Sequence, residues 1–179
     1  MVPIGNPISP EIIYGFGFSV GYKGFDASVF FQGLANESFW INSDGYSTKT
    51  EDAKGGLAPF YKQTQLLQAI ADSHWSESNR DIYAFWPRLS TYVNTNNTPT
   101  STWWMRDGSF LRLKQVELGY TLPKELTRKW HMNSLRLYMS ASNVFCWSRF
   151  KMWDPEQGRS ALNYPLQRTI NVGVNVTFE

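Results

Sequence analysis

The stretch that decides the fold is Thr169-Ile-Asn-Val-Gly-Val-Asn-Val-Thr-Phe178, close to the end of the sequence. Ile, Val or Phe occupies every even position, and Thr, Asn or Gly occupies every odd position. Successive side chains of a β-strand point to opposite faces of its sheet. The stretch is therefore predicted to be a strand with one apolar face and one polar face.

Four other segments alternate with the same period of two residues. Large apolar residues dominate one face of each segment, and small or polar residues dominate the other. Lys23-Gly24 forms a tight turn between the first two segments, which makes them a hairpin. Pro123 ends the third segment. The four predicted strands are Ile12–Tyr22, Phe25–Gly33, Phe110–Leu122 and Leu135–Val144.

The strand Phe110–Leu122 carries two cations. Arg112 and Lys114 alternate in phase with Val116, so we expect them on the apolar face. Two cations on an otherwise apolar face fit a strand that emerges past a membrane boundary toward polar headgroups or lipopolysaccharide.

The composition limits the choice of function. Basic and acidic residues nearly balance, with a net charge of +2, so we expect no nucleic-acid ligand. Aromatic residues make up 16% of the chain, which is typical of sugar-binding surfaces, interfacial belts or aromatic cores. The single cysteine, Cys146, is interpreted as a small buried or lipid-facing residue rather than a reactive thiol.

Signals for catalysis or metal binding are weak. His74 and His131 are far apart and lack the spacing of a metal site. Asp154 and Glu156 flank a proline, which favours a structured loop turn over a pair of catalytic carboxylates. We therefore expect no enzyme activity, no metal and no cofactor.

Two architectures explain the alternation: a membrane β-barrel and a soluble β-sandwich. The strands match the length of about 9–11 residues that a tilted membrane crossing needs. Short connections, such as Lys23-Gly24, alternate with long ones at 34–109 and 147–167. Outer-membrane barrels have short periplasmic turns and long extracellular loops. We predict a barrel segment, and the alternative is a secreted, aromatic-rich, carbohydrate-binding β-sandwich.

The long connection at 34–109 is predicted to be mostly loop, with a short amphipathic helix over Gln65–Ser73. Five strands cannot close a barrel, because the smallest bacterial barrels have about eight. We therefore expect residues 1–179 to be the carboxy-terminal part of a longer barrel protein.

Several segments resemble a known family. Phe110–Pro123 resembles the late-strand signature of SusC/RagA-type TonB-linked outer-membrane proteins, and Ser134–Phe145 resembles the next strand of that family. Trp153–Glu156 resembles its last extracellular loop, and Tyr164–Thr169 resembles the entry to its final strand. The resemblance covers most of the chain.

The resemblance implies an all-β, antiparallel barrel of about twenty-two strands in the outer membrane of Bacteroidetes. It implies import of glycans, or of peptides in some members. The expected partners are outer-membrane lipid, the rest of the barrel, a SusD-like lipoprotein lid and the TonB complex acting through a plug. The plug is expected to be absent from this chain, which alone should not transport.

Two sets of residues are candidates for functional contacts. Polar residues of the strands are expected to face the lumen, where the plug lies: Asp26, Gln32, Glu117, Arg136 and Tyr138. The loop aromatics are candidates to contact substrate or lid: Trp75, Trp86, Trp103, Trp104, Trp153 and Tyr164. The alternative for the loop aromatics is that they pack the loops against one another.

The terminal strand leads to a test. Phe178 is expected to belong to the signal by which such barrels assemble. Replacing Phe178 in the longer protein is therefore expected to reduce the amount assembled in the outer membrane. Surface labelling of cells measures this amount, and unchanged surface levels would count against the role of Phe178.

Overall fold

The computed structural model describes residues 4–41, 68–89, 96–97, 101–158 and 164–178. Its strands are β1 (Ile12–Tyr22), β2 (Phe25–Ala35), β3 (Ser38–Trp40), β4 (Met105–Asp107), β5 (Phe110–Thr121), β6 (Met132–Ser148) and β7 (Thr169–Phe178). Its helices are α1 (Gln68–Asp72) and α2 (Lys124–Thr127), and its 3-10 turns are Thr102–Trp104, Arg128–Trp130 and Pro155–Gln157.

Five strands form one antiparallel sheet in the order β1-β2-β5-β6-β7. These are the five predicted strands, and the fold-class prediction is confirmed. The main difference is β6, which begins at Met132 and ends at Ser148, beyond both predicted bounds. β3 and β4 form a separate two-stranded sheet.

The register aligns most large apolar residues of the five strands on one side, the apolar face, whereas Phe30 lies on the other side, against Gly15 and Gly17. One row across this face consists of Val20, Ala27, Leu118, Met139 and Val172. Val172 is 80% exposed, and no second sheet packs on this face within the described residues. A β-sandwich buries such a face, so the sandwich alternative does not hold.

A β-bulge overturns the predicted placement of Arg112. Phe30 of β2 pairs with Gln115, but the next residue of β2 pairs with Leu113, so one residue of β5 is skipped. Leu113 therefore takes the apolar face, and Arg112 lies on the opposite, polar face, where it is 3% exposed. The prediction was wrong because one extra residue reverses the facing of every residue beyond it.

A second bulge lies beside the first, in β6. Asn143 and Val144 occupy the space opposite the single residue Lys114. Asn143 adopts a left-handed backbone with φ of 53°, and its side-chain amide donates to the carbonyl oxygen of Gln167 at 2.9 Å. Beyond this bulge, the side chains of β6 again face the same side of the sheet as their partners in β5.

The half-buried Cys146 lies beyond the bulge in β6, opposite Arg112 on the polar face. It therefore does not face lipid.

The helix predicted over Gln65–Ser73 is present as α1, from Gln68 to Asp72, and residues 65–67 lie outside the described residues. In the part of the chain that the structure describes, no helix is both long and apolar enough to cross a membrane.

The long connections build a hydrophobic cluster at the end of the sheet where β2 ends and β5 begins. We call it the aromatic cluster. Its buried members are Phe39, Ile41, Ile70, Trp86, Trp104 and Phe150. The other end of the sheet carries the turn between β1 and β2 and the connection between β5 and β6.

The bulge at Asn143 gives a stability prediction. Asn143→Val is expected to lower the apparent Tm of the longer barrel protein purified in detergent, because a β-branched side chain disfavours the left-handed backbone by about 1–2 kcal/mol. Asn143→Gly is the matched control, since glycine adopts that conformation readily. Heat-modifiability electrophoresis measures the Tm, and equal stability of the two variants would contradict the explanation.

Candidate functional site

Separate segments meet in the aromatic cluster through backbone pairing. Ser38 and Trp40 of β3 pair with Asp107 and Met105 of β4. The backbone N–H of Ile41 then donates to the carbonyl oxygen of Trp104 at 2.9 Å. These pairings bring together the two ends of the connection between β2 and β5, at the end of the sheet.

Aromatic contacts complete the cluster. The rings of Phe39 and Phe150 are 5.1 Å apart in an edge-to-face arrangement, and those of Trp86 and Trp104 are 5.7 Å apart. Both arrangements fall in the favourable range for aromatic pairs. Trp86 and Trp104 are thus part of the packing of the loops.

A groove of about 520 Å³ borders the aromatic cluster. Four of the six predicted loop aromatics line it: Trp75, Trp86, Trp103 and Trp104. Its polar lining includes Asp81, Arg88, Asn97 and Ser101. A concave, aromatic surface with a few polar groups is the usual form of a small-ligand site, so we call it the aromatic groove.

Trp103 is the exposed aromatic of this groove, with 45% of its surface accessible. Its indole N–H donates to the carbonyl oxygen of Phe85 at 3.2 Å. The guanidinium of Arg106 donates to the carbonyl oxygen of Trp103 and lies 4.2 Å from the ring centre of Phe85. The exposed indole is therefore held in place before any ligand arrives.

Trp75 and Trp104 are fixed by backbone atoms as well. The backbone N–H of Trp75 donates to the carbonyl oxygen of Trp86 at 3.0 Å. The indole N–H of Trp104 donates to the carbonyl oxygen of Asn97 at 3.0 Å.

Burial lowers the pKa of the nearby Arg106 guanidinium below its ordinary value.

The other two predicted aromatics lie outside the groove lining. Trp153 packs against Phe150, with ring centres 4.6 Å apart, and donates to the carbonyl oxygen of Gly158 at 2.9 Å. Tyr164 is exposed, and its hydroxyl accepts a hydrogen bond from the side chain of Gln167.

An ion-pair cluster anchors the β6–β7 connection to β5. The buried guanidinium of Arg112 pairs with Asp154 and lies 3.2 Å from a carboxylate oxygen of Glu156. Lys114 lies 3.4 Å from the other oxygen of Glu156. Asp154 also accepts from the backbone N–H of Glu156, which caps the turn Pro155–Gln157. The two carboxylates therefore hold a loop turn, as predicted from the intervening proline.

A second ion-pair cluster lies on the polar face, toward the short connections. Arg136 donates to Asp26 at 3.1 Å and to Glu117 at 2.7 Å. The side chains meet above Gly119, where a Cβ atom would lie 2.5 Å from both Arg136 and Asp26. Glycine at this position leaves the space that the cluster needs.

The remaining polar residues lie on the same face. Gln32 pairs with Arg112, and Tyr138 pairs with Gly119. The ring of Tyr138 covers Gly173 of β7, where a Cβ atom would lie 2.5 Å from it. All five residues predicted to face the lumen therefore share one face of the sheet.

Two observations bear on enzyme chemistry. Within the described ranges, no three His, Cys, Asp or Glu side chains come together in a way that could hold a metal ion. The carboxylates of Asp26 and Glu117, which lie together on the polar face, both form ion pairs with Arg136.

Comparison with known proteins gives the family. The chain is 30% identical to TonB-dependent receptor P26 of Formosa agariphila over 192 aligned positions, covering 99% of this chain and 18% of that receptor. Its fold matches a chain of the RagAB peptide transporter with a TM-score of 0.69 and 25% identity, covering 97% of this chain and 18% of that one. This chain belongs to the SusC/RagA-type TonB-dependent receptors.

Two further relatives agree. TonB-dependent receptor P3 of the same species is 26% identical, covering 98% of this chain and 17% of that receptor. The RagAB peptide importer in its closed-closed state gives a TM-score of 0.68 and 26% identity, covering 97% of this chain and 18% of that chain. No protein-family model matches. The receptor segment thus spans less than a fifth of each relative's length.

Membership of this family locates the receptor segment in the outer membrane. The exposed apolar face of its sheet is of the kind that outer-membrane barrels turn toward lipid.

Sequence reasoning missed the ion-pair cluster around Arg112. A signal for it was present, because Leu111 and Leu113 alternate in odd phase whereas Val116 and Leu118 alternate in even phase. A change of phase within one strand marks a bulge. The pairing of Arg112 with carboxylates about forty residues later had no comparable signal in the sequence.

The cluster above Gly119 gives a second prediction. Gly119→Ala is expected to lower the apparent Tm of the receptor, because the added methyl displaces the ends of the Arg136 and Asp26 side chains from their ion pair. Gly21→Ala is the matched control, since its Cβ would meet only one atom, at 3.7 Å.

Arg136→Gln separates this mechanism from general strain. If Gly119→Ala acts through the ion pair, the two substitutions together cost less than the sum of their separate effects. Additive losses of Tm would contradict the mechanism.

Proposed function

We propose that this receptor segment is part of a TonB-dependent transporter that imports glycans or similar nutrient oligomers across the outer membrane. The observation that carries the proposal is the aromatic groove. The RagAB complex, which the segment resembles in fold, is a peptide transporter, and this supports nutrient import as the general activity.

The groove suits a glycan for a physical reason. The fixed indole of Trp103 offers a flat apolar surface to the C–H face of a sugar ring. Asp81, Arg88 and Ser101 supply hydrogen-bonding groups at the same groove. A few polar groups on an aromatic wall orient a ligand whose rings are apolar on their faces and polar at their edges.

The position of the groove supports an extracellular role. It lies at the end of the sheet with the long connections, which face the outside in outer-membrane barrels. A SusD-like lipoprotein lid over these connections fits the likeness to RagAB. On this orientation the turn between β1 and β2 lies in the periplasm.

We further propose that residues 1–179 act as one part of a larger barrel. The outer edges of β1 and β7 pair with no other strand among the described residues. In lipid each unpaired backbone group costs several kcal/mol, so further strands must cover both edges. The polar face, with Asp26, Glu117 and Arg136, then faces a lumen that holds the plug. The chain alone would not transport.

Trp103 gives the test of this function. The whole receptor, purified in detergent, is titrated onto immobilised glycan oligomers and, separately, onto a set of immobilised synthetic peptides. Trp103→Ala is expected to weaken glycan binding at least about fivefold, the effect of losing about 1 kcal/mol from an aromatic contact.

Trp130→Ala is the matched control, since Trp130 is similarly exposed but lies in the short connection at the other end of the sheet. It is expected to bind glycans like the unmodified receptor. Binding of peptides and not glycans would reject the glycan class, and equal binding by all variants would reject the groove as the site.

A further inference from the structure

A second groove, of about 490 Å³, lies on the apolar face near the short connections. It crosses the rows of side chains contributed by all five strands of the sheet. Its floor includes Ala27, whose neighbours in the row, Val20 and Leu118, are larger. A single methyl between larger side chains leaves a depression in an otherwise continuous apolar surface. We call it the lipid-side groove.

Aromatic side chains form one end of the lipid-side groove. The rings of Phe25 and Tyr120 are in contact, with centres 4.3 Å apart, and Tyr22 stands beside them in the same row. Such residues at the boundary of a barrel lie at the level of the lipid headgroups. The groove thus runs from the headgroup level into the apolar part of the bilayer.

A lysine stands at the rim of this groove. The ammonium of Lys23 lies 5.2 Å from the ring centre of Tyr22, which lines the groove. Lys23 belongs to the tight turn between β1 and β2 and is exposed. The groove therefore combines an apolar floor with a cation at its headgroup end.

The neighbouring connection has the same character. The backbone N–H of Thr121 donates to the carbonyl oxygen of Gly24 at 2.7 Å, which joins the turn to the end of β5. The segment that follows carries three exposed cations and one acid: Lys124, Arg128, Lys129 and Glu125.

Two exposed apolar residues accompany these cations. Leu126 and Trp130 are both exposed, whereas Thr127 between them is buried against the fold. A short segment that exposes Leu, Trp and cations together is typical of one that lies in the membrane interface. This end of the sheet therefore presents positive charge at the level of lipid phosphates.

We propose that the lipid-side groove binds an acyl chain of an anionic glycerophospholipid from the periplasmic leaflet, with the lipid phosphate at Lys23. The apolar floor accepts the chain, and the excess of cations favours a headgroup with net negative charge over a zwitterionic one. The proposal rests on the proposed orientation, in which the short connections are periplasmic.

Native mass spectrometry of the detergent-purified whole receptor tests this proposal. Phosphatidylglycerol, phosphatidylethanolamine and lipid A are added separately, and the lipid retained per protein is counted. The unmodified receptor is expected to retain phosphatidylglycerol most strongly. Lys23→Gln is expected to reduce its retention about fivefold, the effect of one lysine near an anionic surface.

Two further variants complete the design. Arg149→Gln is the matched control, because this side chain is 90% exposed at the opposite end of the sheet, and it is expected to retain phosphatidylglycerol normally. Ala27→Phe fills the groove and is expected to reduce retention of both phospholipids. Residue 27 lies on the apolar face, so assembly of the Ala27→Phe receptor is checked by heat-modifiability electrophoresis. If this variant fails to assemble, the phosphatidylglycerol retention of Lys23→Gln decides whether the groove binds the lipid.

Three results would overturn the proposal: equal retention of the two phospholipids by the unmodified receptor, preference for lipid A, or an equal loss in Lys23→Gln and Arg149→Gln. Trp103→Ala separates this proposal from the glycan proposal, because it is expected to weaken glycan binding while its phospholipid retention is unchanged. Failure of either binding experiment therefore leaves the other interpretable.

Discussion

The antiparallel register of five strands is the constraint on which the rest of the structure depends. It places Val20, Ala27, Leu118, Met139 and Val172 in one row, and repeats such rows along the sheet. A shift of one residue in any strand would bring polar side chains to the lipid and apolar ones to the other face. The first error is costly in a bilayer, because polar side chains there find no water to bond with.

The change of phase in β5 has a consequence for the loops. The bulge in β5 turns Arg112 to the polar face, where Asp154 and Glu156 meet it. These carboxylates belong to the connection that also carries Trp153, which packs on Phe150 in the aromatic cluster. The bulge in β5 thus positions the β6–β7 connection. This connection in turn packs against the aromatic cluster, which borders the aromatic groove.

The two ends of the sheet differ in chemistry as they differ in loop length. At the long connections, indole rings held by backbone hydrogen bonds surround a groove with polar groups at its edge. At the short connections, aromatic rings line a groove on the lipid side, and cations surround it. The first arrangement suits a soluble oligomer and the second suits a lipid.

The sequence by itself determined the five long strands, the facing of most of their residues and the fold class, but it misplaced Arg112, which lies beyond the bulge in β5. Alternation with a period of two is a property of each segment alone, as in Thr169–Phe178. It can therefore be recognised without knowing which strands pair with the segment. The five polar residues expected on one face do share it, their facing toward a lumen stays a prediction, and the family was identified correctly.

Only the tertiary structure decided how these residues combine. Asp26 and Arg136 meet because Gly119, in the strand between theirs, has no side chain. Four tryptophans from two stretches of the long connection converge on one groove, and the structure separates the exposed Trp103 from the buried Trp86 and Trp104. Contacts between residues far apart in sequence depend on register, bulges and loop packing, and alternation within a single strand carries no information about them.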